Sequence, residues 1–396
     1  MLSKLSIRNV DFKGKRVFCR VDFNVPLDDN SQVTDDTRIK ASMPTIRHII
    51  NNGGRLILAS HLGRPKKGPE ARFSLAAVAP CLSQYLGKPV QMAPDCIGPD
   101  VKRMVDQMKD GDVLLLENVR FHAGETKNDP EFAKALAANA DIYVNNAFGT
   151  AHRAHASTEG VTHYLQPAAA GFLLEMEIKY LGQALAYPDH PFVAIIGGAK
   201  VSDKIAVIEN LLEKVDTLII GGGMAYTFLR ANGRPTGKSL VEEDRVELAR
   251  QLLQKAADKH VTILLPEDHV VAAKFSATAE HKICSDANFP ADWMALDIGP
   301  ATIATYTGAL SNARMVIWNG PMGVFEFDAF ARGTMAVAAT LADSKARSIV
   351  GGGDSVAAVR KAGVESKMTH ISTGGGASLE FLEGKTLPGI AALTDV

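Results

Sequence analysis

FLLEMEIKYLGQALAY, residues 172–187, decides how the chain is divided. Leu173, Met176, Tyr180 and Ala184 recur at helical spacing, and Leu174, Ile178, Leu181 and Leu185 widen the apolar stripe. Glu175 and Lys179 form an i,i+4 pair in the favourable order. Pro188 ends the helix, because a residue before proline is pushed out of the α region. The stretch lies just short of the midpoint of 396 residues, and the sequence on its two sides carries two kinds of chemistry.

A chain of this length exceeds what one hydrophobic core serves, so two domains are expected. Apolar content of 46% with 22% charged residues is ordinary for a soluble globular protein. A formal net charge of −1 argues against a nucleic-acid binder, since no excess of cations is available for phosphates, although local basic clusters could hold a small anion. Cys19, Cys81, Cys96 and Cys284 are widely spaced with no CxxC pair, a usage that fits buried thiols in a reducing compartment better than disulfides or zinc. The start, MLSKLSIRNV, lacks the apolar core of a signal peptide, and no apolar run is long enough to span a bilayer. A soluble, cytoplasmic protein is expected.

On the amino-terminal side, short apolar runs at 16–21, 55–60, 113–117 and 142–145 read as strands, and segments such as 73–85 and 130–138 read as helices. The alternation predicts βαβ units and a parallel sheet, whose ligands bind beyond the carboxyl ends of the strands. After the four strands come Asp22-Phe23-Asn24-Val25-Pro26, His61-Leu62-Gly63-Arg64-Pro65, Asn118-Val119-Arg120-Phe121, and the turn from Ala147 to His152 and Arg153. A single arginine there is ordinary surface charge. Three at equivalent ends of one sheet would repel one another unless an anion sat between them. Arg38 joins the set: it opens a helical pattern through Ile39, Met43, Ile46 and Ile50, capped by Asp36 or Thr37, with Pro44 as a point of kink or restart. A cation in a first turn opposes the helix dipole, which makes sense if an anion shares the site. His152 and His155 have a metal-compatible spacing but no adjacent acid or cysteine, so a loop role is preferred; His48, His122 and His163 are read as structural or surface.

On the carboxyl-terminal side, a strand at 192–198 ends in glycines and leads through Ala199, Lys200, Asp203 and Lys204 into an amphipathic helix at 205–215. The next strand, 217–220, ends in Gly221-Gly222-Gly223. Two further strand–glycine–helix turns follow, IVGGGDS at 349–355 and ISTGGGAS at 371–378. Repeated glycine turns let backbone N–H groups approach phosphates at helix N-termini. Asp354 is a candidate magnesium contact, since Mg²⁺ takes few carboxylates plus phosphate oxygens. WNGPMGVFEF at 318–327 reads equally as a core turn or as a wall for base and ribose. GRPTGKS at 233–239 is not a P-loop: its glycines are one residue too close, and it follows a helical pattern instead of a strand.

Taken together, RVDFNVP (20–26), SHLGRP (60–65), LENVRF (116–121), AFGTAHRAH (147–155), GGAKVSDK (197–204), WNGPMGVFE (318–326), GGGDS (351–355) and STGGGASLEFLEGKTLPG (372–389) resemble the phosphoglycerate kinase family, in order and without departure at the motif positions. The resemblance implies an α/β fold of two doubly wound, Rossmann-like parallel-sheet domains facing each other across a cleft. It assigns a phosphoglycerate-binding domain to 1–171, a connecting helix to 172–187, a nucleotide-binding domain to 188–380, and a segment returning to the first domain to 381–396. Arg38, His61, Arg64, Arg120 and Arg153 would hold the glycerate's phosphate and carboxylate, with Asp22 and Asn24 at its hydroxyl end. Gly197, Gly198, Ala199 and Lys204 would line the nucleotide site, Asn319, Pro321 and Glu326 its base and ribose, and Gly352, Gly353, Asp354 and Ser355 its phosphates, Asp354 also holding Mg²⁺.

The expected reaction is reversible in-line phosphoryl transfer between 1,3-bisphosphoglycerate and ADP, giving 3-phosphoglycerate and ATP. It needs positioning and charge neutralisation more than a protein nucleophile. Arg38 and Lys200 are expected to contact the transferring group, assisted by backbone N–H groups at Gly353 and Gly376. The resemblance also implies a monomer with small-molecule partners only, and a helix at 172–187 whose ends, near Gly171 and Pro188, act as hinges. The rival classes are a non-catalytic two-domain anion-binding protein, which would not need the lysine-bearing half, and a nicotinamide dehydrogenase, whose fingerprint both glycine turns miss by their last glycine.

Overall fold

The short apolar runs pair as parallel strands, and in a computed structural model, which describes residues 3–66 and 68–396, they build two units. One unit runs up to Lys179 and includes Thr386–Val396; the other is Tyr180–Lys385.

The first unit is built on a six-stranded sheet of β1 (Arg16–Arg20), β2 (Arg55–Ala59), β3 (Gln91–Met92), β4 (Val113–Leu115), β5 (Ile142–Asn145) and β6 (Ala168–Ala170), in the order β3-β4-β2-β1-β5-β6. Every pairing is parallel. Chain order reverses around β1, the place where doubly wound sheets leave room for a ligand. Register levels the strand ends there: Arg20 stands beside Ala59 on one side and Asn145 on the other. Ile39, Ile46 and Ile49 of the helix Thr37–Asn51 are buried in the same core as Val17, Cys19, Leu56 and Leu58.

The second unit has β7 (Phe192–Ile196), β8 (Thr217–Ile220), β9 (Thr262–Leu264), β10 (Asp268–Ala272), β11 (His281–Ser285), β12 (Met294–Ile298), β13 (Met315–Asn319), β14 (Arg347–Gly351) and β15 (His370–Ile371). Six of them form a second parallel sheet, β15-β14-β13-β7-β8-β9, with Asn319 level with Ile196 and Gly351. The remaining three form an antiparallel sheet, β11-β10-β12, that the sequence pattern does not announce. Its outer strand β11 exposes four of five residues, and the ladder between β10 and β12 shifts register at Val270/Val271, so neither an apolar run nor a clean alternation marks it.

Several elements differ from the pattern reading in extent. The expected helix at 73–85 is two 3₁₀ turns, Ala71–Phe73 and Leu75–Ala77, followed by the helix Ala79–Leu86, which places Pro80 in its first turn, where no N–H is needed. The helix Thr37–Asn51 runs on through Pro44 without restarting. Asp36 holds its N-cap position, but its side chain accepts from Tyr85 Oη and pairs with Lys40 Nζ at 2.8 Å, while Asp35 Oδ1 accepts from Thr37 N at 2.8 Å. The helix after β7 is shorter than expected, Ile205–Leu211. GRPTGKS follows the helix Met224–Ala231, with Arg230 Nη2 donating to Thr236 Oγ1 at 2.6 Å, as a turn and not a P-loop.

The helix Phe172–Ala186 carries the division between the units, at Lys179/Tyr180, whereas the sequence reading placed limits at 171 and 187. The second division lies at Lys385/Thr386, beyond the 380 of that reading. The helix Gly376–Leu382 buries Phe381 and Leu382, and Leu382 O accepts from Asn210 Nδ2 at 2.7 Å. Thr386–Val396 then joins the first unit. Asn145 Nδ2 donates to Gly389 O at 3.0 Å, Thr394 N donates to Ala168 O at 2.9 Å, and Lys4 pairs with Asp395 at 2.7 Å. Asn145→Ala leaves the buried Gly389 carbonyl and Ala147 N–H unpaired, and is expected to lower the first unit's stability by about 1–3 kcal/mol in urea unfolding.

Candidate active site

At the carboxyl edge of the first sheet, one charge sets the arrangement. Arg20 ends β1 and is 1% exposed. Its Nε donates to Ser157 Oγ at 2.8 Å, Nη1 to Val21 O, and Nη2 to His61 Nδ1 at 3.2 Å. Because a guanidinium only donates, His61 Nδ1 is the acceptor and the neutral ring keeps its proton on Nε2. The ring is neutral: burial, followed by Arg20, Arg120, Arg38 and Arg153, holds the His61 pKa well below its ordinary value. Beyond β4, Asn118 Nδ2 donates to Leu62 O at 2.7 Å and Asn118 Oδ1 accepts from Arg120 N at 3.0 Å, which fixes the turn that carries Arg120. Arg120 Nη1 donates to Gly63 O at 2.8 Å, while its buried Nε has no partner among the described residues. Burial and the neighbouring Arg20, Arg153 and Arg64 push the Arg120 pKa down to about 10, so the group stays charged at neutral pH.

Arg64, Arg120 and Arg153 line one cavity of about 630 Å³, together with Lys66, His122 and His155. Arg38 stands in the first turn of its helix and pairs with Asp22 at 2.5 Å. Asn24 Oδ1 accepts from Gly63 N at 2.8 Å, so Asn24 shapes the turn that precedes Arg64. The structure thus brings the sequence-predicted Arg64, Arg120 and Arg153 to one cavity. His61 stands behind them, and Asp22, Asn24 and Arg38 join the same set of turns. Arg20 and His155 are additions that pattern reading missed. Arg20 had a signal, a charge closing the otherwise apolar strand RVFCR. His155 is buried, and burial with Arg120, Arg20 and Arg153 lowers its pKa to about 4.

The second sheet presents backbone in place of charge. β7 runs into Gly197 and Gly198, β8 into Gly221, Gly222 and Gly223, and β13 into Gly320. Gly197 N donates to Asn319 O at 2.9 Å and Gly222 N to Met322 O at 3.0 Å. A Cβ on residue 197 would lie 2.1 Å from Pro321 O, so only glycine lets these turns pack. Lys204 Nζ donates to Asn319 Oδ1; burial lowers the Lys204 pKa against the pull of Asp203 and Asp354. Asn319 is 1% exposed and its Nδ2 has no partner among the described residues. Ser355 Oγ accepts from Gly320 N at 2.6 Å, joining the helix Gly353–Lys361 to the same frame, and Gly352 before it takes φ +89°.

A cavity of about 450 Å³ opens on this frame, and Gly198, Ala199, Pro321, Glu326 and Asp354 line it. Gly197, Lys204, Asn319, Gly352 and Ser355 frame it without lining it; Lys200, Gly353 and Gly376 are exposed and lie outside the lining. The cavity's apolar wall, Leu240, Phe275, Met294 and Leu296, was not legible, because it comes largely from the unannounced antiparallel sheet and its loops. Leu240 and Phe275 are 49% and 61% exposed, a degree that marks apolar side chains awaiting a cover. The stretch 318–327 bears out its core reading, with Trp318 buried and its Nε1 donating to Gly320 O at 2.8 Å, and it also brings Met322, Val324 and Glu326 to the cavity.

A cationic cleft that suits a small polyanion, and a glycine-framed cavity with an apolar wall that suits a nucleotide, now stand beside three comparisons with known proteins. A family model, phosphoglycerate kinase, matches residues 7–385. A phosphoglycerate kinase of Moorella thermoacetica is 61% identical over 394 residues, covering 100% of both chains. A cytosolic phosphoglycerate kinase of Nicotiana tabacum is 58% identical, covering 98% of both. The solved structure of phosphoglycerate kinase from Coxiella burnetii superposes with a TM-score of 0.92 at 45% identity over 98% of each chain. These findings favour an enzyme over the non-catalytic anion-binding alternative.

The buried histidines make the cationic site sensitive to acid. His155 binds its proton with a pKa of about 4 when folded and near 6.5 when unfolded, so between those values the unfolded chain binds more protons. The stability this contributes is full above about pH 6.5 and is lost as pH falls through the window, on the order of 3 kcal/mol for this group. His61 acts in the same direction. In urea unfolding across that range, His155→Gln is expected to flatten the acid loss; an unchanged profile contradicts this account.

Proposed function

The chain belongs to the phosphoglycerate kinase family, and from that membership we propose which residues carry its reaction. The reaction is the transfer of a phosphoryl group between 1,3-bisphosphoglycerate and ADP, which yields 3-phosphoglycerate and ATP in glycolysis. The observation that carries the assignment on the glycerate side is the buried, unpartnered Nε of Arg120 in a cavity shared with Arg64 and Arg153. A phosphate or carboxylate there answers that N–H and relieves the repulsion among the guanidinium groups. His61 offers an Nε2–H donor, and Asp22 with Asn24 holds the hydroxyl end of the glycerate.

On the nucleotide side, Gly198, Ala199, Pro321 and Glu326 receive base and ribose, while Gly197, Lys204, Asn319, Gly352 and Ser355 build the frame against which the phosphates lie. The unpartnered Nδ2 of Asn319 is the corresponding open donor. Asp354 presents an exposed carboxylate in the first turn of Gly353–Lys361, on the same cavity as Glu326. A hard carboxylate oxygen beside phosphate oxygens is a donor set that fits Mg²⁺, so Asp354 would hold the ion. Bound there, Mg²⁺ supplies neutralisation of the phosphate charge.

Transfer follows an in-line course and needs no protein nucleophile. Arg38 neutralises charge developing on the acyl-phosphate side and Lys200 on the nucleotide side, and the N–H groups at Gly353 and Gly376, unclaimed at helix starts, donate to the transferring oxygens. Substrates held on separate units require a conformational step before transfer. The ends of Phe172–Ala186, near Gly171 and Pro188, are the points that absorb it. The enzyme works as a cytoplasmic monomer, in keeping with its cytosolic relative; among the described residues no helix is long and apolar enough to cross a membrane.

Two measurements test this reading. Arg38→Ala and Lys200→Ala are each expected to lower kcat by about 10²–10³ in ATP formation from ADP and 1,3-bisphosphoglycerate at saturation. Near-normal kcat in either removes that residue from the chemistry. In small-angle scattering, the radius of gyration is expected to fall when both substrates are present. A constant value rules out the hinge.

A further inference from the structure

Apart from the two sites, Asp95, Cys96 and His122 bring an oxygen, a sulfur and a nitrogen ligand atom within 4.8 Å of one another. Among the described residues no other group of three such side chains does so. Sequence spacing gave no hint of it, because Asp95 and Cys96 follow β3 whereas His122 follows the turn Val119–Phe121 beyond β4. The adjacent strands β3 and β4 bring the two loops together.

Each group is already oriented. Asp95 Oδ1 accepts from Cys96 N at 2.6 Å and lies 2.6 Å from His122 Nε2. The His122 ring stacks on Phe132 at 4.7 Å between centroids. Cys96 Sγ donates to Glu117 O at 2.9 Å. Cys96 is buried, but the Asp95 and His122 side chains are 48% and 28% exposed, so an ion can enter from their side. One thiolate, one imidazole and one carboxylate suit a borderline cation of the zinc class and not Mg²⁺, which prefers oxygen alone. Three protein ligands leave a fourth, tetrahedral position for water.

We propose that Asp95, Cys96 and His122 form a binding site for a zinc-class divalent cation beside the anion cavity. Burial, Asp95, Glu125 and Glu117 keep the Cys96 thiol protonated against the opposing Arg20, so the ion must displace that proton to solvent. To ligate, the His122 ring must carry its proton on Nδ1 so that the Nε2 lone pair faces the ion, any further ring proton leaving to solvent. No electron changes hands. The ion's two positive charges then balance one thiolate and one carboxylate. His122 also lines the cavity of Arg64, Arg120 and Arg153 and directly follows the turn that carries Arg120. An ion that holds His122 therefore restrains that turn and lowers turnover.

The test uses metal-free full-length protein titrated with Co²⁺, a spectroscopic stand-in for zinc, with Mg²⁺ saturating. One cobalt per chain with thiolate-to-metal charge-transfer absorption is expected. That absorption should vanish in Cys96→Ser, which keeps a donor to Glu117 O, and binding should weaken at least about tenfold in Asp95→Asn. Zn²⁺ should inhibit the unsubstituted enzyme and spare Cys96→Ser, whose metal-free activity and circular dichroism report an intact fold. No charge-transfer band, a band that persists in Cys96→Ser, or equal zinc inhibition of both proteins overturns the proposal.

Discussion

A guanidinium keeps its proton in any protein interior, so a buried arginine has to be answered where it lies. Arg20 is that case, and the first unit's site depends on the answer. Ser157 accepts from Arg20 and passes the interaction on: its Oγ donates to Glu125 Oε1 at 2.6 Å and its N to Glu125 Oε2 at 2.9 Å. Glu125 is fully buried and is the opposite charge for Arg20, one hydroxyl away. His61 and the Val21 carbonyl complete the set. One internal charge therefore ties together the ends of β1 and β2, the short helix Ala123–Thr126 and the loop beyond β5. It also decides which nitrogen of His61 carries the proton. With Arg20 and Asp22 so engaged, Arg64, Arg120 and Arg153 have no acidic partner among the described residues around their cavity, and a bound anion would supply what the fold withholds.

The second unit solves a related problem by geometry. Its strand-end turns carry Lys204 but otherwise rely on backbone, and their spacing is set by contacts that no side chain could survive. The Cβ position at Gly197 falls against Pro321 O, and that at Gly222 falls 2.5 Å from Gly198 O. Backbone N–H groups held this closely act at fixed positions with no rotamer entropy to lose. The difference matches the two ligands proposed for these sites. A three-carbon substrate offers little beyond its charged ends, so charge must hold it. A nucleotide offers a large apolar base as well, and the exposed Leu240 and Phe275 line the cavity proposed to receive it.

How far the sequence could be read follows from the same physics. Parallel strands buried on both faces leave short apolar runs, and the residues just after them lie at the ligand edge by topology. Arg64, Arg120, Arg153, Gly198 and Asp354 could thus be found without coordinates, and the assembled motifs identified the family. Arg20 was lost because it closes a strand instead of following one. Phe275 and Met294 were lost because no period marks a wall contributed by β12 and the loop between β10 and β11, and Leu240 because it sits in an irregular stretch after the helix Met224–Ala231. Asp36 sits at the cap as the pattern implied, but local pattern does not reveal that Tyr85 and Lys40 claim its side chain. Asp95, Cys96 and His122 meet only because β3 and β4 pair.

The arginines and the buried histidines are also linked, and the sign of the link is fixed. Burial is the first cause of the low pKa of His155 and His61, and it persists whatever the site holds. The second cause is repulsion from Arg120, Arg20 and Arg153, and an anion seated among them cancels part of that. An anion there would therefore raise both histidine pKa values toward the ordinary range. By reciprocity, protonating either histidine strengthens the hold on an anion by the same factor that the anion strengthens the hold on the proton. A site built from surface lysines would lose such coupling to salt within a Debye length. Here Arg20, His61 and His155 lie inside the protein, where screening is weak, so part of this coupling persists at ordinary ionic strength, whereas the exposed Arg64 is screened like any surface cation.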